Sequence, residues 1–67
     1  MKVAIARETV NLEGHMINRG RKFYLRSTHR ERHGIKYVKL CNQPTNFSSI
    51  GDFGLDIVMR FFDIVDE

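Results

Sequence analysis

Two runs in the middle of the sequence alternate between apolar and polar residues, and this alternation restricts the possible folds more than any other feature of the chain. The first run covers residues 22–27 and the second covers Ile35–Cys41. Between them, residues 28–34 are polar and charged and end in Gly34, which can adopt the positive φ of a turn. Alternating runs joined in this way predict an antiparallel β-hairpin. Its core-facing side chains are expected to be Phe23, Leu25, Val38 and Leu40.

The segment before this hairpin predicts a strand, a loop and a turn. Val3 and Ile5 share one side of Lys2–Ala6, which is the alternation of a strand buried on one face. Residues 7–15 are polar and are expected to form a long loop, and the Asn-Arg-Gly sequence of residues 18–20 is a turn signal.

The segment after the hairpin, residues 42–54, is expected to be irregular. It contains the only proline of the chain, together with serines, asparagines and glycines. Phe47, Ile50 and Phe53 are the apolar side chains expected to turn toward the core.

Residues 55–65 satisfy two patterns at once. The polar stripe of a helix would be formed by Asp56, Arg60, Asp63 and Glu67, at spacings of 4, 3 and 4. The residues are, however, mostly β-branched and aromatic, and Phe62 and Ile64 alternate around Asp63 as in a closing strand. Periodicity favours a helix and composition favours a strand, so both alternatives remain open.

Two short motifs give the chain a resemblance to a known family. Residues 19–24 are Arg-Gly-Arg-Lys-Phe-Tyr, and residues 60–65 are Arg-Phe followed by alternating apolar residues. With the order of strand, loop, hairpin and loop, these motifs resemble small phage-encoded proteins with a Src-homology-3-like β-barrel. The resemblance implies a mostly β fold and a phage origin, but no particular activity, because such barrels carry many unrelated functions. If residues 55–65 are helical, the alternative is an α+β fold, in which a C-terminal helix packs on an antiparallel hairpin sheet.

The length of 67 residues predicts one small domain, residues 1–67, with a small core. No apolar run approaches the roughly 18 residues that span a bilayer, and the first residues lack the apolar stretch of a secretory signal. We therefore expect no membrane association and a cytoplasmic location, which is the host cytoplasm if the protein is phage-encoded. The single cysteine, Cys41, fits a reducing compartment because it has no partner for an intrachain disulfide.

The charges divide unevenly along the chain. Residues 1–39 hold ten lysines and arginines and three glutamates, whereas residues 40–67 hold one arginine and five acids. Two interpretations remain open: the first part binds a polyanionic partner, or the two parts pair with each other on the folded surface.

The sequence gives little support for catalysis or for a bound metal or cofactor. A Cys–His nucleophilic pair would require Cys41 beside a histidine, whereas a small buried thiol is the commoner role for such a residue. His29 and His33 are four residues apart, but there is one thiol and no CxxC motif, and no glycine-rich phosphate loop is present. We expect the protein not to be an enzyme and to use no metal and no cofactor.

The polar face of the predicted hairpin is the candidate binding surface. Tyrosine and arginine anchor protein interfaces, while basic groups with flat rings also bind phosphates and unpaired bases. We therefore predict a non-catalytic binding module that modulates or inhibits a host protein, with a nucleic-acid-binding accessory protein as the alternative. A third hypothesis is that the protein is a homo-oligomer, since a second copy often completes a core this small. The candidate binding residues are Arg19, Arg21, Lys22, Tyr24, Arg26, Arg30, Arg32, Tyr37 and Lys39.

Overall fold

Strands dominate the computed structural model, which describes residues 1–44 and 48–67. Its strands are β1 (Lys2–Ala6), β2 (Val10–Leu12), β3 (His15–Ile17), β4 (Lys22–Arg32), β5 (Ile35–Cys41), β6 (Ser49–Gly54) and β7 (Phe62–Asp66), with helix α1 (Leu55–Phe61) between β6 and β7. In this described part of the chain, one antiparallel sheet has the order β6-β5-β4-β1-β7, and β2 and β3 form a separate hairpin. The predicted mostly β class is confirmed.

The central hairpin is formed by β4 and β5, as predicted, but its strands are longer than expected. Residues 28–34 do not form a loop, because β4 continues to Arg32 and the chain reverses at His33 and Gly34. Both turn residues have positive φ, 54° and 78°, which suits a tight two-residue hairpin turn. A bulge at His29, where φ is 60°, absorbs the extra residues of β4 and lets this polar segment remain a strand.

The prediction of a long loop at residues 7–15 is wrong. The chain forms the β2–β3 hairpin there, with a turn at Glu13 and Gly14 whose φ angles are 51° and 90°. Leu12 and Ile17 are buried and belong to the core, so this hairpin is held by apolar packing. Strands of three residues are too short for alternation to stand out in a polar segment.

The expected irregular segment at residues 42–54 also contains a strand, so that expectation is wrong for its second half. β6 pairs with the free side of β5, and Gly51, at a φ of 142°, lies where the register shifts. Phe53 is buried and Ile50 is half-buried, as predicted. The predicted role of Phe47 falls outside the described residues.

Residues 55–65 form both of the structures that their sequence favours, first a helix and then a strand. Helix α1 ends at Phe61, and from Phe62 the chain pairs with β1 as strand β7. The alternative fold with a C-terminal helix is therefore wrong, because a strand follows the helix. Within α1, Val58 is buried and Phe61 is half-buried, whereas Ile57 is 42% exposed.

Arg7 marks the point where the helix changes into the strand. Its guanidinium donates hydrogen bonds to the carbonyl oxygens of Met59, at 2.8 Å, and Arg60, and lies 3.6 Å from the Asp63 carboxylate. Its backbone N–H donates to the carbonyl oxygen of Phe61. These contacts satisfy carbonyl groups that the end of a helix leaves without partners.

The core lies on one side of the five-stranded sheet, which we call the inner face. Phe23 and Phe62 meet there edge to face, with ring centroids 6.2 Å apart. The buried cluster consists of Ala4, Ala6, Leu12, Ile17, Phe23, Leu40, Phe53, Val58 and Phe62. Among the described residues, no helix has the length and apolar character needed to cross a membrane.

Candidate functional site

The opposite side of strands β4 and β5, which we call the outer face, carries five of the nine candidate binding residues. Arg26 lies opposite Lys39 in the register, and both alternate with the buried inner-face residues Phe23 and Leu40. The predicted facing of the hairpin is thus confirmed. Arg26 and Lys39 are exposed, whereas the lysine and the two tyrosines beside them are half-buried. The outer-face residues are Lys22, Tyr24, Arg26, Tyr37 and Lys39.

Tyr24 lies between two fully buried neighbours on the outer face. Val3 of β1 and Cys41 of β5 are its partners in the register, and they are 0% and 1% exposed. Neither belongs to the inner-face cluster, so the outer face has a small buried layer of its own. Directly paired side chains pack against each other across strands. Tyr24 therefore has a structural role as well as a half-exposed ring.

Lys22 extends across Tyr24 to the end of the chain. Its Nζ atom lies 5.3 Å from the centroid of the Tyr24 ring and 3.1 Å from Oε1 of Glu67. The hydrogen bond to the Glu67 carboxylate, together with charge attraction, raises the pKa of the Lys22 ammonium above its ordinary value. The cation thus already has an aromatic ring and an acid as partners.

Tyr37 is covered by a second cation, which the bulge in β4 brings into place. The Arg30 guanidinium carbon lies 5.7 Å from the Tyr37 ring centroid, and Nη1 of Arg30 lies 3.0 Å from Oδ2 of Asp52. The Thr28 hydroxyl donates a 2.9 Å hydrogen bond to the Tyr37 carbonyl oxygen, which fixes the bulge against β5. Each outer-face tyrosine therefore has a cation over its ring, and that cation forms an ion pair with a carboxylate.

Arg26 and Lys39 place two positive charges directly opposite each other across β4 and β5. Like charges in this position destabilise a sheet. On its other side Lys39 is opposite Asp52, but that carboxylate already bonds Arg30.

Two of the other predicted arginines, Arg19 and Arg21, do not join the outer face. Arg21 turns to the inner side, where its guanidinium carbon lies 4.9 Å from the Phe23 ring centroid and its Nη2 donates to Oδ1 of Asn42. Arg19 belongs to the predicted turn at residues 18–20, which a hydrogen bond from the Arg21 N–H to the Asn18 carbonyl oxygen closes. Arg32 is opposite Ile35 at the tip of the hairpin. The nine candidates therefore do not form one continuous patch.

Ion pairs between the described residues all join the basic part of the chain to the acidic part. This agrees with the interpretation that the two parts pair on the folded surface. In every pair at least one of the two side chains is exposed to solvent, so each pair contributes little to stability. The pairs are Lys2–Asp66 at 3.6 Å, Arg7–Asp63 at 3.6 Å, Lys22–Glu67 at 3.1 Å and Arg30–Asp52 at 3.0 Å.

A second surface, which the sequence did not predict, opens on the inner side beside α1. We call it the apolar groove; its volume is about 510 Å³. The described pairing of β1 with β4 ends at Val3 and Tyr24, and beyond that point β4 has the groove on its free side. Met59 of α1 forms part of the wall of the groove and is 58% exposed. The lining residues are Met1, Lys2, Leu25, Arg26, Ser27, Val38, Leu55, Met59 and Ile64.

The groups that would support catalysis or metal binding are dispersed. Cys41 is buried. The histidines are exposed at three separate places: His15 begins β3, His29 is at the bulge of β4, and His33 is in the turn between β4 and β5. Within the described residues, no three histidine, cysteine, aspartate or glutamate side chains come together as metal ligands.

No protein-family model, curated protein or solved structure matches the chain. Its function has to be inferred from the outer face and the apolar groove.

Proposed function

We propose that this chain is a non-catalytic, phage-encoded binding module that contacts a host protein through the outer face and modulates or inhibits it. The observation that carries the proposal is the arrangement of opposite charges around two half-exposed tyrosines. Lys22 lies over Tyr24 and pairs with Glu67. Arg30 lies over Tyr37 and pairs with Asp52. Aromatic anchors within a polar, mixed-charge rim are characteristic of protein interfaces.

The same charges make a nucleic-acid partner the weaker candidate. A surface that binds phosphates gains affinity from cations that neutralise them and release counterions. The two cations that lie over the tyrosine rings, Lys22 and Arg30, are already paired with acids. A polyanion would have to compete with Glu67 and Asp52 for them.

The strand order supports a finer assignment of the fold, a Src-homology-3-like barrel. The antiparallel order β6-β5-β4-β1-β7 brings the first and last strands together, and α1 joins the two outermost strands. Continued curling of such a sheet would bring β6 and β7 toward each other. Barrels of this size serve many functions, so the assignment is compatible with binding and does not specify the partner.

The test is capture from a bacterial lysate with the tagged protein, with and without nuclease, at low and moderate salt. We expect a discrete protein to remain after nuclease treatment and after the increase in salt. Lys39→Glu reverses an exposed outer-face charge, and we expect it to lower retention of that protein at least about tenfold. Arg60→Glu is the matched control, because Arg60 is equally charged and exposed but lies on α1.

Two results would contradict the proposal. Recovery of nucleic acid alone, lost as the salt is raised, would make the chain a nucleic-acid binder. Equal loss of the captured protein in Lys39→Glu and Arg60→Glu would show that the retention depends on net charge and not on the outer face.

A further inference from the structure

Helix α1 is built from residues that favour a strand. Ile57 and Val58 are β-branched and Phe61 is aromatic, and such residues are more common in strands than in helices. In the helix, Ile57 and Met59 are 42% and 58% exposed, so the helical form leaves two large apolar side chains in solvent. An extended segment would instead sort these residues by face. One face would carry Leu55, Ile57, Met59 and Phe61, and the other would carry Asp56, Val58 and Arg60.

Contacts from other parts of the chain hold α1 in its helical form. The helix has seven residues, which is too short to be stable on its own in water. Gly54 precedes it and provides no side-chain cap, so the first N–H groups have no such partner. At the other end, the carbonyl oxygens of Met59 and Arg60 accept hydrogen bonds from Arg7, which is more than 50 residues away in sequence. Val58 is buried in the core cluster.

The helical form also keeps the connection between β6 and β7 short. Seven helical residues span about 10 Å, whereas seven extended residues span about 23 Å. Among the described strands, β7 is the last in the chain and pairs with β1 alone. With an extended connection, β7 can reach β1 of a second copy and form there the same contacts that it forms within one chain.

Two extended copies of residues 55–61 are complementary to each other when they run antiparallel about Val58. This register places Asp56 of each copy opposite Arg60 of the other, so that two opposite-charge pairs form across the two-fold axis. Opposite charges and apolar side chains that lie directly opposite stabilise antiparallel strands. The segment therefore selects a second copy of this chain as its partner. The remaining pairs in this register are Ile57 with Met59 and Leu55 with Phe61.

We propose that α1 is a hinge through which two copies of the chain exchange β7. In the exchanged dimer, residues 55–61 are extended and pair with each other, and each β7 pairs with β1 of the other copy. Arg7 opposes the exchange, because its hydrogen bonds to the Met59 and Arg60 carbonyl oxygens exist only while α1 is helical. The dimer carries two outer faces and binds a partner bivalently; this consequence rests on the proposed function, whereas the exchange does not.

A disulfide between β1 and β7 reports whether the two strands belong to the same chain. Met1 and Glu67 exchange main-chain hydrogen bonds, so Lys2 and Asp66 form the adjacent non-hydrogen-bonded pair, whose Cα separation suits a disulfide. The variant with both Lys2→Cys and Asp66→Cys is refolded from urea at increasing protein concentrations, diluted, oxidised and run on a denaturing gel without reductant. We expect a covalent dimer whose share rises with the refolding concentration. Lys2→Cys alone is expected to remain monomeric on the gel.

Two substitutions in the double-cysteine protein should move the dimer share in opposite directions. Arg7→Gln removes the hydrogen bonds to the helix end and is expected to raise the dimer association constant at least about tenfold. Arg19→Gln is the matched control, since it removes the same charge at an exposed turn and should leave the constant unchanged. Ile57→Ala is expected to lower it at least about tenfold, because alanine favours the helix and lacks the side chain that faces Met59 in the dimer.

Absence of the covalent dimer at every refolding concentration would overturn the proposal, as would a dimer in which the disulfides stay within single chains. Equal effects of Arg7→Gln and Arg19→Gln, or an unchanged dimer share in Ile57→Ala, would also contradict it. Ile57 is partly exposed, so its variant keeps the test decisive if Arg7→Gln does not refold. Capture from lysate depends on Lys39 and not on the exchange, so the two proposals can fail independently.

Discussion

The outer face and the apolar groove are two surfaces that meet at Arg26, and they are stabilised in different ways. On the outer face, cations, rings and acids already contact one another, as in the Lys22–Tyr24 and Arg30–Tyr37 pairs. The groove has apolar walls, and a wall residue such as Met59 remains 58% exposed. The first surface is preorganised by its own contacts, whereas the second leaves apolar area that a partner has yet to cover.

Phe62→Ala tests whether the two surfaces share one core, and it should have the largest effect. Phe62 is 1% exposed and packs against Phe23. Removing a buried phenyl ring costs about 3–5 kcal/mol, which is a large part of the stability of a small domain. We expect urea unfolding to show this loss and the amide NMR spectrum to change on both surfaces. Changes confined to the groove would show that the outer face folds independently.

Replacing each tyrosine separately sharpens the description of the outer face. Tyr24 lies between buried Val3 and Cys41, whereas Tyr37 is opposite Gly54. We expect Tyr24→Ala to lower the free energy of unfolding by about 2 kcal/mol and Tyr37→Ala by about 1 kcal/mol. Urea denaturation measures both, with Tyr24→Phe as a control that keeps the ring. Equal losses would mean that the buried layer around Tyr24 does not depend on it.

The smallest expected effect concerns the pKa of Lys22. Because its pKa is raised in the folded state, the pairing with Glu67 stabilises the fold at neutral pH, and this contribution is lost as pH rises through the folded pKa. Glu67→Gln should return the pKa of Lys22 toward its ordinary value and should change stability at neutral pH but not in strongly alkaline solution. NMR titration of the Lys22 side chain measures the pKa directly. An unchanged pKa in the variant would assign the shift to Tyr24.

Sequence patterns predicted the parts of the fold that depend on near neighbours. The alternation around Phe23 and Leu40 was sufficient for the central hairpin and for the direction in which Tyr24 and Tyr37 face. Residues 55–65 fit two periods, and the change from helix to strand at Phe62 is set by pairing with β1, which is distant in sequence.

The candidate site was predictable only in part, for the same reason. Arg21 appeared to belong with the outer-face cations, but its place in the turn before β4 directs it over Phe23. The groove has no local signature, since Met1, Val38 and Met59 become neighbours only when the sheet and α1 are assembled. Alternation alone puts Arg21 on the side of Phe23, two residues later, whereas the groove does not follow from alternation or charge along the chain.

The pairing of β1 with β7, in which Lys2 meets Asp66, has a consequence for the order of folding. Closing such a long loop costs more entropy than closing the β4–β5 hairpin, and contacts between distant residues form more slowly. During synthesis, the residues of the hairpin are also complete before β7 has been made. We expect the β4–β5 hairpin to take shape first and the groove last, so a partner that recognises only the hairpin can meet a nascent chain that has no groove yet.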